Sequence, residues 1–337
     1  MKYKPFQLLC FLTLFLLPAH SVFADVPNNK VFNQFISRMV NYHHFDEAAL
    51  RKKFKSVKIQ QPILEAIAKP AEDKPWHQYR EIFLTEQRIE GGVEFWRKNE
   101  KTLEAVENKY KIPAEYIVAI IGVETNYGDQ LGKYRVIDAL STLAFAYPPR
   151  SRYFQKELES FLVLTRKEHI NPLTPMGSYA GAMGLPQFMP SSFKNFAVDF
   201  DLDRKRDIWK SQPDAIASVG KYLAHHKWQA GGAIAFPVKA SGDAYQEALD
   251  DNLKPDVTVE KLRSMQVSVP SQLKNSEMVK LLSFQQTSGQ DLWVTLHNFY
   301  VITRYNNSPL YAMAVYQLSQ SIADRKKSLH SPAELQK

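Results

Sequence analysis

Glu124 is the residue in this chain whose type and spacing most directly suggest chemistry. It follows Ile117, Ile120 and Ile121 on the seven, four and three spacing of a single helical face, so its carboxyl projects from a surface that the helix buries. It also falls in the last turn before Gly128. Desolvation and the negative end of the helix dipole both favour the protonated form, which is what a proton donor to a leaving oxygen requires. A buried Glu neutralised by Arg or Lys is the plainer alternative for the same pattern.

The element that positions Glu124 opens near Pro113 and runs through Tyr116, Ile117, Val118, Ala119, Ile120, Ile121 and Val123, apolar nearly all round, which predicts a buried helix. Upstream, Val31 to Val57, Pro62 to Ala68 and Tyr79 to Tyr110 carry apolar residues at helical spacing among Glu, Lys and Arg. Gly177 to Pro190 is a Gly/Pro/Met loop. Pro213 to His225 reads as a helix opened by Ser211, with Asp214 three residues on. From about Lys227 to His297 short runs (Ala235 to Val238, Val257 to Val259, Met265 to Val269, Leu292 to Leu296) alternate with turn residues, predicting a small strand-containing unit. Helix returns at Leu310 to Ala323.

Composition bounds the function classes. Hydrophobic residues make up 45%, enough for a large core, and 12% aromatic content excludes a disordered chain. The single cysteine, Cys10, excludes a disulfide scaffold and a thiolate zinc cluster. Lys2 and Lys4 before the apolar run Phe6 to Leu17, then Val22-Phe23-Ala24, predict a cleaved export leader with Asp25 as the mature start. That run is shorter than the roughly 20 residues that span a bilayer, and no comparable stretch follows. Cys10 lies inside it, after Leu8-Leu9, which argues against lipidation. The leader takes Lys2 and Lys4 and no acid with it, so the formal charge falls from +8 to +6. The basic residues are scattered without a nucleic-acid motif, so acidic wall polymer or anionic lipid suits an exported protein better, with plain solubility as the simpler account.

Three separated segments together resemble one known family. Gly122-Val123-Glu124-Thr125-Asn126-Tyr127-Gly128, then Gly177 to Ser192, then Ile302 to Asn306 with Tyr311 to Ala314, are similar to the lytic murein transglycosylase B family, glycoside hydrolase family 103. The resemblance spans nearly the whole chain after the leader. It implies a mainly α (α+β) fold: a lysozyme-like catalytic core at 106–226 plus 298–325, a flanking N-terminal helical domain at 25–105 and a small inserted β-containing subdomain at 227–297. It also implies cleavage of the MurNAc-GlcNAc β-1,4 bond of peptidoglycan without added water, giving 1,6-anhydromuramoyl ends in the periplasm. Glu124 is then the single acid/base, where ordinary glycosidases use two carboxylates.

By the same resemblance Ser178, Gln187, Phe188, Tyr305, Asn306 and Tyr311 line the cleft, with Asn306 facing the N-acetyl group, and Tyr79, Tyr153 and Tyr222 fall at matching positions. Each of those last three serves equally as a half-buried core tyrosine. Arg150 stands where the family often has consecutive arginines for stem-peptide carboxylates. The chemistry requires no cofactor. Asp199, Asp201 and Asp203 resemble a calcium loop found in part of the family, but Arg204 and Lys210 occupy the places of its Gly and Glu, so a salt-bridged turn without Ca2+ stands beside that reading. Glycan strands are the implied partner, with cell-wall synthases as candidate protein partners. A lysozyme-type hydrolase and a non-catalytic wall-binding protein are the competing functions.

Overall fold

In a computed structural model of the chain, residues 23–68 and 74–330 are described. The apolar run expected as an export leader lies outside them. Strand β1 (Phe23–Asp25) pairs antiparallel with β2 (Lys58–Gln60), and Asp25 meets Lys58 Nζ at 2.5 Å. Between these strands lie α1 (Lys30–His43) and α2 (Glu47–Phe54), opened by Asn29 and Asp46, whose side chains accept from the Phe32 and Ala49 amides. Phe32 and Phe35 on α1 and Phe54 on α2 meet Phe145 edge-on, with ring centroids 5.4 to 6.5 Å apart.

Four more helices follow, α3 (Gln61–Ile67), α4 (Trp76–Phe83), α5 (Glu86–Lys98) and α6 (Glu100–Tyr110), before the expected buried helix α7 (Ala114–Thr125). Every residue of α7 from Tyr116 to Thr125 is buried except Glu124. The chain continues through β3 (Tyr134–Arg135), α8 (Val136–Ala146), α9 (Ser151–Lys167), β4 (Met176–Gly177), α10 (Pro190–Phe196) and α11 (Gln212–His225). Ser211 caps α11 as its spacing predicts, accepting from the Asp214 amide. α8 and α9 were not singled out in the sequence. Val136 to Ala144 of α8 is buried without interruption, so no periodicity separates it from a buried strand.

The remaining elements are β5 (Ala235–Val238), β6 (Val257–Thr258), α12 (Val259–Ser264), β7 (Met278–Gln285), β8 (Gln290–Thr295), α13 (His297–Thr303) and α14 (Pro309–His330). The four strands form an antiparallel sheet ordered β5-β8-β7-β6. Met265 to Val269 does not join it; this run is a turn in which Val267 makes one bridge to Ala240. The longest strand, β7, escapes the pattern reading because both of its faces are buried. Val279 and Leu281 enter a small core with Val259, Leu262 and Val294, while Leu282 and Phe284 enter the large core that runs from Phe32 to Ile322. α14 packs along α4, α5, α7 and α13 and closes the helical body around α7.

Candidate active site

Glu124 stands half-buried at the C-terminus of α7, where the helix stops because Asn126 takes a left-handed conformation at φ 49°. Thr125 fastens this end: its hydroxyl donates to Ile121 O and Leu185 O at 3.2 and 3.1 Å and accepts from the Gly128 amide. Sequence reasoning missed Thr125 as a link between the helix and the glycine loop. Its one signal is a hydroxyl, buried on an otherwise apolar helix, which needs a partner.

The loop from Gly177 to Pro190 is a tight fold with little tolerance for side chains. Gly181 and Gly184 have φ of +83° and +66°, and a Cβ on Gly184 would lie 2.4 Å from Ile208 O. Ser178 Oγ accepts from the Ala180 and Ala182 amides, and Met183 pairs with both Gly177 and Phe188. Gln187, left-handed at φ 47°, donates from Nε2 to Gly184 O at 2.8 Å. Ser178 and Gln187 therefore shape the loop with part of their hydrogen-bonding capacity and stay half-buried beside the end of α7.

Three tyrosine rings gather beside Glu124. Tyr311 donates from Oη to Glu124 Oε1 at 2.7 Å, and its ring stacks on Tyr305 with centroids 6.4 Å apart and planes 9° apart. Tyr305 in turn donates to Pro186 O at 2.6 Å, and Tyr222 donates to Arg304 O. Burial first, and the nearby Glu124 charge second, push the Tyr305 and Tyr311 phenols well above their usual range. Burial likewise raises Tyr222 to about 12. All three phenols therefore keep their protons, and with them their role as donors, at neutral pH. Asn306 follows Tyr305 at the same rim, half-buried.

The other candidate residues fall elsewhere. Phe188 is 2% exposed and packs beneath Tyr222 and Tyr305, so it supports these rings and offers a ligand almost no surface. Tyr79 is also 2% exposed; it stacks on Trp76 and lies close enough to Tyr311 to add to that phenol's proton affinity. Arg150 lies over Tyr153 at 4.6 Å and over Phe154 at 5.3 Å, so Arg150 and Tyr153 pair with each other at the start of α9. Asp199, Asp201 and Asp203 lie in the loop between α10 and α11, with one carboxylate oxygen from each within 4.8 Å of the others. That loop reaches the site indirectly, because Leu185 donates its amide to Ile208 O.

A half-buried carboxyl at a helix end, hydrogen-bonded to a tyrosine beside a glycine-built loop, gives this helical body the makings of an acid/base site. Residues 27–320 match the transglycosylase SLT domain, and the chain belongs to that family. It is 41% identical over 319 residues to membrane-bound lytic murein transglycosylase B of Escherichia coli strain K12, covering 91% of this chain and 87% of that protein. The soluble lytic transglycosylase SltB1 of Pseudomonas aeruginosa superposes with TM-score 0.84 at 45% identity, covering 89% of this chain and all of that one. Escherichia coli Slt35, solved in complex with calcium, superposes with TM-score 0.83 at 39% identity, covering 91% and 97% of the two chains. Among the described residues, no helix is long and apolar enough to cross a membrane.

Proposed function

We propose that this chain is a peptidoglycan lytic transglycosylase in which Glu124 serves as both acid and base. The observation that carries the reading is the Tyr311-to-Glu124 hydrogen bond within a cluster of three tyrosines that all feel the Glu124 charge. In the first step Glu124 gives its proton to the glycosidic oxygen, the C1–O bond breaks, and GlcNAc leaves with a C4 hydroxyl. The substrate's own N-acetyl oxygen stabilises the electron-poor C1, which removes the need for a second carboxylate. Glu124, now a carboxylate, takes the proton of the muramoyl C6 hydroxyl as that oxygen closes on C1. The acid is regenerated and no water is consumed. Tyr311 holds one carboxyl oxygen throughout, so the group cannot swing away between its two roles.

Digesting purified peptidoglycan and weighing the fragments tests the reaction. Anhydro ends are expected; ends heavier by one water would assign a hydrolase, and intact glycan a binding protein. Glu124→Gln should fold and bind glycan without turnover.

A divalent cation in the acidic loop belongs to the same reading. Asp199, Asp201 and Asp203 would hold it, and the fit is seen in Asp199 Oδ1, a buried oxygen with no hydrogen-bond partner. Arg204 has φ +71°, the left-handed turn for which a calcium loop uses Gly, so the backbone takes that turn without the usual residue. Asp214 accepts from the Phe200 and Asp207 amides and organises the loop from inside. Bound Ca2+ would act structurally, steadying the segment whose Ile208 O holds Leu185. Calorimetric titration with CaCl2 should show binding and a raised Tm, both lost in Asp199→Asn; no heat and no shift would remove the cation from the account. The leader expected from the sequence supports a periplasmic mature protein, and N-terminal sequencing of the exported protein should read from Asp25; any other start, or a blocked N-terminus, would overturn that cleavage.

A further inference from the structure

Two and three residues after Glu124, Asn126 at φ 49° and Tyr127 at φ 61° are both left-handed without being glycine. Such conformations are uncommon for residues with a Cβ and persist only where the surroundings over-determine them. Here the effect is to turn the Tyr127 ring back beneath the helix it has just left. The ring enters a slot between α5 and α7 that three helical glycines keep open. A Cβ on Gly122 would lie 2.6 Å from Tyr127 Oη, one on Gly92 also 2.6 Å from it, and one on Gly91 3.0 Å from Cε2. Glycine inside a helix is unfavourable relative to Ala, so three of them around one ring mark a required fit.

The polar ends close the arrangement in both directions. Tyr127 Oη donates to Arg88 O at 2.8 Å, and Arg88 Nη1 donates back to Gly122 O, a carbonyl in the last turn of α7. Phe95 packs against the ring at 5.6 Å and Phe83 lies beneath the guanidinium at 5.4 Å, so the clasp is walled by apolar groups. Gly122 is two residues before Glu124 and Tyr127 three after it. The clasp therefore grips the backbone on both sides of the proposed acid.

We infer that Tyr127 and Arg88 are positioning residues for Glu124, a reciprocal clasp between α5 and the end of α7 that holds the carboxyl in line with Tyr311. The inference rests on Glu124 being the acid/base. Without the clasp the last turn of α7 can fray like any helix end, and a carboxyl misplaced by about 1 Å loses on the order of 100-fold in rate.

The test is steady-state kinetics on soluble peptidoglycan fragments for Tyr127→Phe, Arg88→Met, their double variant and Gly122→Ala, each with a thermal melt. Tyr127→Phe keeps the ring and removes only the bond to Arg88 O. It should fold, keep KM within about twofold and lose roughly tenfold in kcat. Arg88→Met should lose a similar amount, and the double variant little more than either, since one clasp is broken in all three. Gly122→Ala should lose more, because its Cβ displaces the ring itself. Should kcat stay at the parent value in Tyr127→Phe and Arg88→Met while only Tm falls, the clasp is merely structural and the inference fails. A raised KM at constant kcat would also overturn it, by making Tyr127 a support of the binding wall. Glu124→Gln runs in parallel: turnover there would defeat the acid/base reading itself, whereas its inactivity beside fully active clasp variants would defeat the clasp alone.

Discussion

The 2.7 Å bond from Tyr311 Oη to Glu124 Oε1 is a charge-assisted contact whenever Glu124 is ionised, and such bonds contribute about 1.5–3 kcal/mol. Tyr311→Phe keeps the stack on Tyr305 and deletes this contact alone, so kcat should fall about 10- to 100-fold with KM little changed. An unchanged kcat would mean that the carboxyl is held by something else. The same phenols set a limit on alkaline behaviour. Tyr222 is raised to about 12 and Tyr305 and Tyr311 well above 10, whereas in the unfolded chain each titrates near 10. The unfolded state therefore sheds these protons first as pH rises. Their contribution to stability is fully present and constant below about pH 10, and it is lost as pH climbs from there through about 12 for Tyr222. Absorbance titration at alkaline pH should show these phenols resisting ionisation until the protein unfolds, and their free titration near pH 10 in folded protein would contradict the burial.

At the scale of elements, the glycine loop offers an internal control. Gly184 and Gly231 have nearly the same left-handed φ, +66° and +69°, but a Cβ on Gly184 meets Ile208 O at 2.4 Å while one on Gly231 meets nothing within 4 Å. Ala at either position pays the backbone strain, about 1 kcal/mol or more. Only Gly184→Ala must also move the backbone that carries Gln187 and Pro186, so it should lose Tm beyond Gly231→Ala and lose kcat, which Gly231→Ala keeps. Elements were legible in the sequence where a cap, a proline or flanking turn residues bound the run, and α9, which opens without a side-chain cap, was not singled out although one of its faces meets solvent. α1, α11 and the start of α7 are marked by caps, Pro and spacing, and the strand runs Ala235–Val238 and Val257–Thr258 by their flanking turns. α8 was not, because its uninterrupted buried run has no proline or side-chain cap to mark it as Pro113 marks α7, and β7 was not, because residues on both of its faces enter cores. Among site residues, Glu124 was legible from its misfit on an apolar face. Arg88 was not, since its role depends on a neighbour, Gly122, brought close only by the packing of α5 on α7. Phe188 was read as a groove residue because an aromatic in a motif looks the same whether it faces the cleft or lies under it, and of the two readings open for Tyr79 its burial fits the core one.

The molecule as a whole joins two cores across its sheet, and β7 contributes to both. Leu281 on β7 points into the small core of the sheet, and Phe284, on the other face, enters the large helical core with its ring 5.6 Å from that of Trp76. Trp76 stacks on Tyr79, and Tyr79 lies near Tyr311, which holds Glu124. A line of rings thus leads from the sheet toward the acid, and two substitutions test whether position is passed along it. Phe284→Ala should cost about 3–5 kcal/mol, the usual range for a buried Phe. Its pattern should be specific: amides of α4 exchange faster and kcat falls, while the amides of β7 and β8 stay protected by the small core. Leu281→Ala should do the opposite, loosening the sheet while leaving kcat near the parent value. Hydrogen exchange read by mass spectrometry distinguishes the two. If both variants instead opened sheet and helices together, the two cores would be a single cooperative unit and the line of rings only a path drawn through it.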